Sequence, residues 1–279
     1  KVMIQPPVYH PFAWVTTRNE RTLVINPLKW ENGMYRMDLD AFREQIKGCK
    51  LFILCNPHNP GGVVWTEAEL RAIADICYDE KVLVFSDEIH ADLTLPPHTH
   101  RPFATVSEKA RMNSVTFMSP SKAFNMPGLS ASHALIFNED LRKRFRIYMD
   151  AGELDMGHVF AFLSVEAAYS HGTEWLDQCL AYIQGNIDFV DEFLKKHAPK
   201  IKAIRPEASY LVWLDCRELE LSQKDLNEFF VDKAHLALND GEMFGKEGIG
   251  FMRLNVASPR CIIEKAMKQL ADAYQLYIK

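Results

Sequence analysis

The sequence predicts an α/β protein, a mostly parallel sheet flanked by helices and followed by a smaller C-terminal α+β lobe. Three observations carry this. The runs Leu51–Cys55, Val82–Phe85 and Ser114–Met118 are continuous rather than alternating in character, as strands covered on both faces require. A helical pattern lies between the first two, giving strand, helix, strand order. The chain of 279 residues, 48% apolar and 25% charged, is long enough for one large core and one smaller one. We expect a large domain over 1–170, a linking helix over 171–200 and a small domain over 201–279.

Taken in order, Val2–Gln5 reads as a strand stopped by Pro6-Pro7. Tyr9, Phe12 and Trp14 follow in a loop-like context, and Thr22–Ile25 is a second strand. Asp38 or Asp40 caps a helix that turns Leu39, Phe42 and Ile46 inward and ends near Gly48. After Leu51–Cys55 the chain breaks into Asn56-Pro57-His58-Asn59-Pro60-Gly61-Gly62. Thr66 and Glu69 then form the capping box of a helix whose buried face is Leu70, Ile73, Ala74 and Cys77. Val82–Phe85 ends at Ser86-Asp87-Glu88, and a Pro/His-rich loop leads to the strand at 114–118 and to Lys122. Helices are expected over 139–149, 157–170 and 173–197, the last long enough to bridge two lobes. A strand at 210–215, a helix near 222–233, a strand at 250–255 and a helix from Pro259 complete the small lobe.

Composition narrows the partners. The net charge is −5 and no lysine/arginine stripe suits a phosphate backbone, so no nucleic-acid partner is expected. The apolar runs fall far short of a bilayer span, so no membrane partner is expected either. Six cysteines (Cys49, Cys55, Cys77, Cys179, Cys216, Cys261) are scattered without a CxxC pair, which reads as reduced thiols of a cytoplasmic protein. With no charged-then-apolar stretch ahead of the first strand, secretion is not expected. His98 and His100 form an HxH with no third ligand at metal spacing, so we expect a solvated loop and no metal site.

The polar residues carry the chemistry. Asn59, Asp87 and Lys122 each fall just past the carboxyl end of a predicted strand, where an open α/β sheet builds its ligand crevice. Neither GxGxxG nor GxxxxGK[ST] is present. Pyridoxal phosphate matches instead. Its aldehyde needs a lysine, its ring nitrogen a carboxylate, its phenolic oxygen a neutral donor, and its phosphate hydroxyls and a cation. Lys122, Asp87, Asn59 and Ser119/Ser121 meet those needs in turn.

Asn56-Pro57-His58-Asn59-Pro60-Gly61-Gly62, Ser86-Asp87-Glu88-Ile89-His90 and Ser119-Pro120-Ser121-Lys122 together resemble the fold-type I pyridoxal-phosphate enzymes of the class I/II aminotransferase superfamily. Asp-Glu-Ile-His-Ala-Asp and Phe-Asn-Met-Pro-Gly-Leu resemble more narrowly the cystathionine β-lyase (C–S lyase) branch that includes the maltose-regulon modulator. The likeness extends to Leu238–Gly245 and Phe251–Asn255. It implies that Lys122 carries the cofactor covalently and serves as base. Asp87 would pair with the ring nitrogen, Asn59 with the ring oxygen, Tyr9 would lie on the ring face, and Ser119 and Ser121 would bind phosphate. Arg253 would grip the carboxylate of a small amino-acid substrate. His90 and Ser130 stand where aminotransferases usually place a tyrosine and an arginine, and both departures look like the lyase branch. The likeness therefore implies a carbon–sulfur lyase that releases pyruvate, ammonia and a thiol, and it implies a homodimer. An aminotransferase is the alternative, and a regulatory binding protein with residual lyase activity is the second. The abrupt start at Lys1 leads us to expect that a family segment with a phosphate-binding turn lies upstream.

Overall fold

The computed structural model describes residues 1–154 and 156–278. The strands are β1 (Val2–Ile4), β2 (Leu23–Ile25), β3 (Lys29–Glu31), β4 (Met34–Arg36), β5 (Leu51–Cys55) and β6 (Leu83–Asp87). They continue with β7 (Ser114–Met118), β8 (His133–Leu135), β9 (Lys202–Ile204), β10 (Leu211–Asp215), β11 (Asn239–Asp240) and β12 (Phe251–Asn255). The helices are α1 (Pro11–Arg18), α2 (Leu39–Gln45), α3 (Glu67–Asp79), α4 (Glu108–Met112) and α5 (Pro120–Ala123). They continue with α6 (Glu139–Ala151), α7 (Val159–His171), α8 (Thr173–His197), α9 (Gln223–Glu228) and α10 (Arg260–Ile278).

A six-stranded sheet runs β2-β1-β5-β6-β7-β8, parallel throughout except for the antiparallel β8 at one edge. A four-stranded antiparallel sheet, β11-β12-β10-β9, forms the small lobe. This is the mostly parallel, helix-flanked sheet with an α+β lobe that the sequence predicts.

The elements form for local reasons. Thr66 accepts the Glu69 N–H while the Glu69 carboxylate accepts the Thr66 N–H, closing the expected capping box of α3. Leu70, Ile73 and Cys77 are then fully buried against the sheet, and Phe42 of α2 meets Phe52 of β5 edge to face at 4.9 Å. Asp38 caps α2 by accepting the Ala41 N–H at 3.1 Å.

Two stretches differ from the sequence reading. Tyr9, Phe12 and Trp14 were expected in a loop, yet Phe12 and Trp14 lie on α1, with Tyr9 just ahead of it. Pro11 takes its first position, where the missing N–H costs nothing and the fixed φ suits a helix. Residues 29–36 form the hairpin β3–β4. Its turn is Asn32-Gly33 with φ of 51° and 80°, the doubly left-handed geometry that this dipeptide favours.

The two lobes share one core. Trp213 of β10 stacks on Phe251 of β12 at 5.2 Å, and its indole N–H donates to the Tyr35 hydroxyl on the hairpin at 3.2 Å. Both aromatic rings belong to the same buried cluster as Phe42, Phe52 and Trp65 of the large lobe. On the opposite face of the small sheet, α8 buries Ile183, Ile187, Val190 and Leu194 with Met252 and with Met267 of α10. No helix among the described residues is long and apolar enough to cross a membrane.

Candidate active site at the strand ends

The register of the large sheet fixes the site. Cys55 pairs with Asp87 and Asp87 with Phe117, so β5, β6 and β7 finish side by side. The turn after β5 stays against the sheet because the Asn56 N–H donates to the Asp87 carbonyl at 2.9 Å. Beneath it, the His58 Nε2–H donates to the Pro7 carbonyl at 2.8 Å. Burial holds that ring neutral, pushing its pKa down to about 4. The Asn59 N–H points back to Cys55 Sγ at 3.3 Å, which leaves the Asn59 side chain directed at the small lobe.

Tyr9, Asn59, Asp87, His90, Lys122 and Arg253 all line one cavity of about 160 Å³. Asp87 accepts the Ile89 N–H at 3.3 Å. Burial pushes its carboxyl up to about 6, with the Ile89 N–H and the Lys122 ammonium pulling the other way. His90 is pushed down to about 3 by burial, and the positive charges of Lys122 and Arg253 add to this. Its buried Nδ1 has no hydrogen-bond partner among the described residues.

Lys122 sits on the single turn α5, which Ser119 caps by accepting the Ser121 N–H at 3.1 Å. Both serine hydroxyls donate to the Ala131 carbonyl, Ser119 at 2.5 Å and Ser121 at 3.2 Å. Ser119 is buried beneath the turn, and Ser121 lines a neighbouring cavity rather than this one. Lys122 forms no ion pair among the described residues. Ser130 is exposed, in a left-handed conformation with φ of 50°.

Arg253 comes from β12, where it pairs across the strands with Trp213 and Asn239. Its Nη1 donates to Asn59 Oδ1 and its Nη2 to Asn239 Oδ1, both at 2.8 Å. The guanidinium lies 4.6 Å over the Phe244 ring, and its buried Nε has no partner among the described residues. Neutral amides hold it in place without neutralising it, and burial lowers its pKa.

Sequence reasoning overlooked Cys55, Tyr210, Asn239 and Asn255, which also line the cavity. It also misread His100. That residue is not in a solvated loop, because its Nε2 meets Glu88 Oε2 at 2.7 Å with both side chains buried. Glu88 further accepts the Ser86 hydroxyl and the Phe103 N–H, each at 2.8 Å. A fully buried carboxylate needs such donors, and the histidine is recruited from the loop to supply one. Among the described residues no three His, Cys, Asp or Glu side chains gather as a metal set.

The arrangement presents a carboxyl, an amine, a guanidinium and an unpartnered imidazole nitrogen in one cavity, none ion-paired with another. Those groups fit a ring with a protonatable nitrogen and an aldehyde, as pyridoxal phosphate has, and the guanidinium fits a carboxylate.

Residues 1–270 match the family described as aminotransferase class I and II. The chain is 38% identical over 275 residues to cystathionine beta-lyase PatB of Bacillus subtilis (strain 168), covering 98% of this chain and 71% of that protein. It is 32% identical over 275 residues to protein MalY of Escherichia coli (strain K12), covering 98% and 70%. Cystalysin from Treponema denticola, a structure described as containing a pyridoxal 5'-phosphate cofactor, superposes with a TM-score of 0.97 at 35% identity, covering 100% of this chain and 71% of that one.

Proposed function

The chain belongs to the aminotransferase class I and II family, and on that premise we propose that it is a pyridoxal-phosphate-dependent carbon–sulfur β-lyase. Its substrates are cystathionine, cysteine or related thioether amino acids, and its products are pyruvate, ammonia and a thiol. One observation carries the reading beyond kinship. Asp87, Lys122 and Arg253 converge on one cavity as charged groups without charged side-chain partners, which is costly unless ligands complete them.

Each residue then has a task. With the cofactor bound, ionised Asp87 would hold the proton on the ring nitrogen and the Asn59 amide the ring oxygen. Tyr9 would flank the ring, with His90 neutral beside it. Ser119 and Ser121 would hold the phosphate in exchange for the Ala131 carbonyl that their hydroxyls meet. When bound, the cofactor supplies the electron sink that makes the substrate Cα–H acidic. Lys122 Nζ takes that proton as general base. Arg253 offers its fork to the substrate carboxylate, held at the right angle by Asn59, Asn239 and Phe244.

The purified protein should release pyruvate from cystathionine without any added keto acid. Borohydride should fix the cofactor on the peptide that contains Lys122, and Lys122→Ala should lose turnover. A strict requirement for a keto acid would replace the lyase reading with a transaminase. Arg253→Lys should raise KM at least tenfold while leaving the cofactor absorbance in place.

The protein is proposed to work as a homodimer in the cytoplasm. Ile147, Tyr148, Phe160 and Phe162 on α6 and α7 expose roughly two thirds of their surface (64–71%), more apolar surface than a lone chain ordinarily leaves open. All six cysteines are free thiols, as a reducing compartment allows. Light scattering on the purified protein tests the dimer, and a monomeric mass at micromolar concentration would exclude it.

A further inference from the structure

Asp87 faces the cavity at the end of β6, and the next residue, Glu88, turns into the core, where its side chain is fully buried. Three donors hold it there. The Ser86 hydroxyl and the Phe103 N–H both donate to Oε1 at 2.8 Å, and His100 Nε2 meets Oε2 at 2.7 Å. None of the three is a lysine or an arginine. His100 can donate from its neutral form, and a second proton on its buried Nδ1 would meet no acceptor among the described residues. The surrounding backbone is pinned as well. The Asn56 N–H donates to the Asp87 carbonyl at 2.9 Å and the Glu88 N–H to the Phe117 carbonyl at 2.8 Å. The Asn56 amide also holds the loop that carries His100, through the Arg101 carbonyl at 3.1 Å.

A strand end that needed only packing would carry an apolar residue here, since apolar replacements of a buried polar pair are often neutral or stabilising. A second carboxylate beside Asp87 instead adds desolvation and like-charge repulsion. The cavity supplies a reason to keep it. Its titratable groups besides Asp87 are Tyr9, Cys55, His90, Lys122, Tyr210 and Arg253. Lys122 and Arg253 bring two positive charges against the one negative charge of Asp87, so a protonated ring nitrogen would enter a site that is already net positive. Glu88 restores the balance from the core side, and in a low dielectric such a charge acts across adjacent residues. After burial, the charge of Glu88 is among the causes that raise the proton affinity of Asp87, opposed by the Ile89 N–H and Lys122. We propose that Glu88 is a positioning residue for the cofactor, a buried second carboxylate that acts through Asp87 to keep the proton on the ring nitrogen. The proposal rests on the cofactor reading of the cavity.

Glu88→Gln separates charge from shape. Its amide oxygen can accept from Ser86 and Phe103 as Oε1 does, and its NH2 can donate to His100 Nε2 once that ring carries its proton on Nδ1. The ring nitrogen of bound 15N-labelled pyridoxal phosphate, followed by NMR against pH, should hold its proton roughly tenfold more weakly in this variant than in wild type. Glu88→Asp keeps the charge and should stay within about threefold of wild type. A second readout needs no cofactor. Carboxyl 13C NMR of the cofactor-free protein should find the Asp87 midpoint lower in Glu88→Gln than in wild type. If Glu88→Gln does not fold, Glu88→Met combined with His100→Leu removes the same charge with apolar residues of similar size and carries the same expectations. An unmoved ring nitrogen, an unmoved Asp87 midpoint, or a Glu88→Asp loss as large as that of Glu88→Gln would each overturn the proposal. If the protein takes up no pyridoxal phosphate, the cofactor reading fails instead, and the Asp87 midpoint alone then decides whether Glu88 acts on Asp87.

Discussion

Asp87 offers a test in which both sign and size follow from burial. Its carboxyl ends β6 with one hydrogen bond, from the Ile89 N–H, and burial pushes its pKa up to about 6. An unfolded aspartate titrates near about 4, so the cofactor-free fold holds this proton more tightly than the unfolded chain does. The resulting stability is fully present below the unfolded pKa and is lost as pH rises through about 6. Above that, the ionised carboxylate costs at most about 3 kcal/mol, since each pKa unit corresponds to about 1.4 kcal/mol. Water reaching the cavity lowers the figure, because Asp87 keeps part of its surface open.

Asp87→Asn removes the charge while keeping the shape and the acceptor for Ile89. Without cofactor, the variant should be more stable than wild type by up to about 3 kcal/mol at pH 8, and close to it at pH 4. Urea unfolding at the two pH values measures this. Adding pyridoxal phosphate should reverse the order at pH 8, because a protonated ring nitrogen gives the carboxylate a partner that the amide cannot replace. A gain that does not change with pH, or a loss at pH 8 without cofactor, would refute the assignment of Asp87 as a buried acid awaiting a cation.

Three further outcomes are expected. His100→Ala leaves the buried Glu88 carboxylate with only Ser86 and the Phe103 N–H, and should cost about 3 kcal/mol in denaturant unfolding; a loss below about 1 kcal/mol would mean that the pair contributes little. Gly62→Ala meets a φ of +68° and places a Cβ 2.5 Å from Pro206 Cβ, so its Tm should fall by several degrees, about 1–3 kcal/mol of strain. Thr66→Ala opens the capping box of α3 and should cost about 1 kcal/mol, with Thr66→Ser recovering most of it.

What the sequence made legible was the parallel half of the site. In a parallel sheet every strand runs the same way, so the residue after each apolar run reaches the same edge and no pairing need be known. That rule alone brings Asn59, Asp87 and Lys122 together. Local chemistry accounts for the capping box of α3 and could have revealed the hairpin, since Asn32-Gly33 is written in the chain. It could not reveal the His100–Glu88 pair. Adjacent residues Asp87 and Glu88 leave the strand in opposite senses, one to the cavity and one into the core, and only the fold shows what the core supplies to the second.

The antiparallel half obeys a different geometry. There the start of one strand and the end of its partner share an edge, so Leu211 at the beginning of β10 faces Asn255 at the end of β12. Tyr210, just before β10, reaches the same edge, where its carbonyl accepts the Val256 N–H at 3.0 Å. Finding these residues requires the register, which depends on how Trp213 and Phe251 of the small sheet pack against Tyr35 and the core of the large lobe. Arg253 was visible only because a family motif marks it. Asn239 and Asn255 lie in the same family-like stretches, yet nothing local singles them out, since an asparagine at a strand end is equally at home in a turn. The half of the cavity proposed to face the substrate was therefore the less legible half. Its shape follows from inter-lobe packing, whereas the half proposed for the cofactor follows from strand direction.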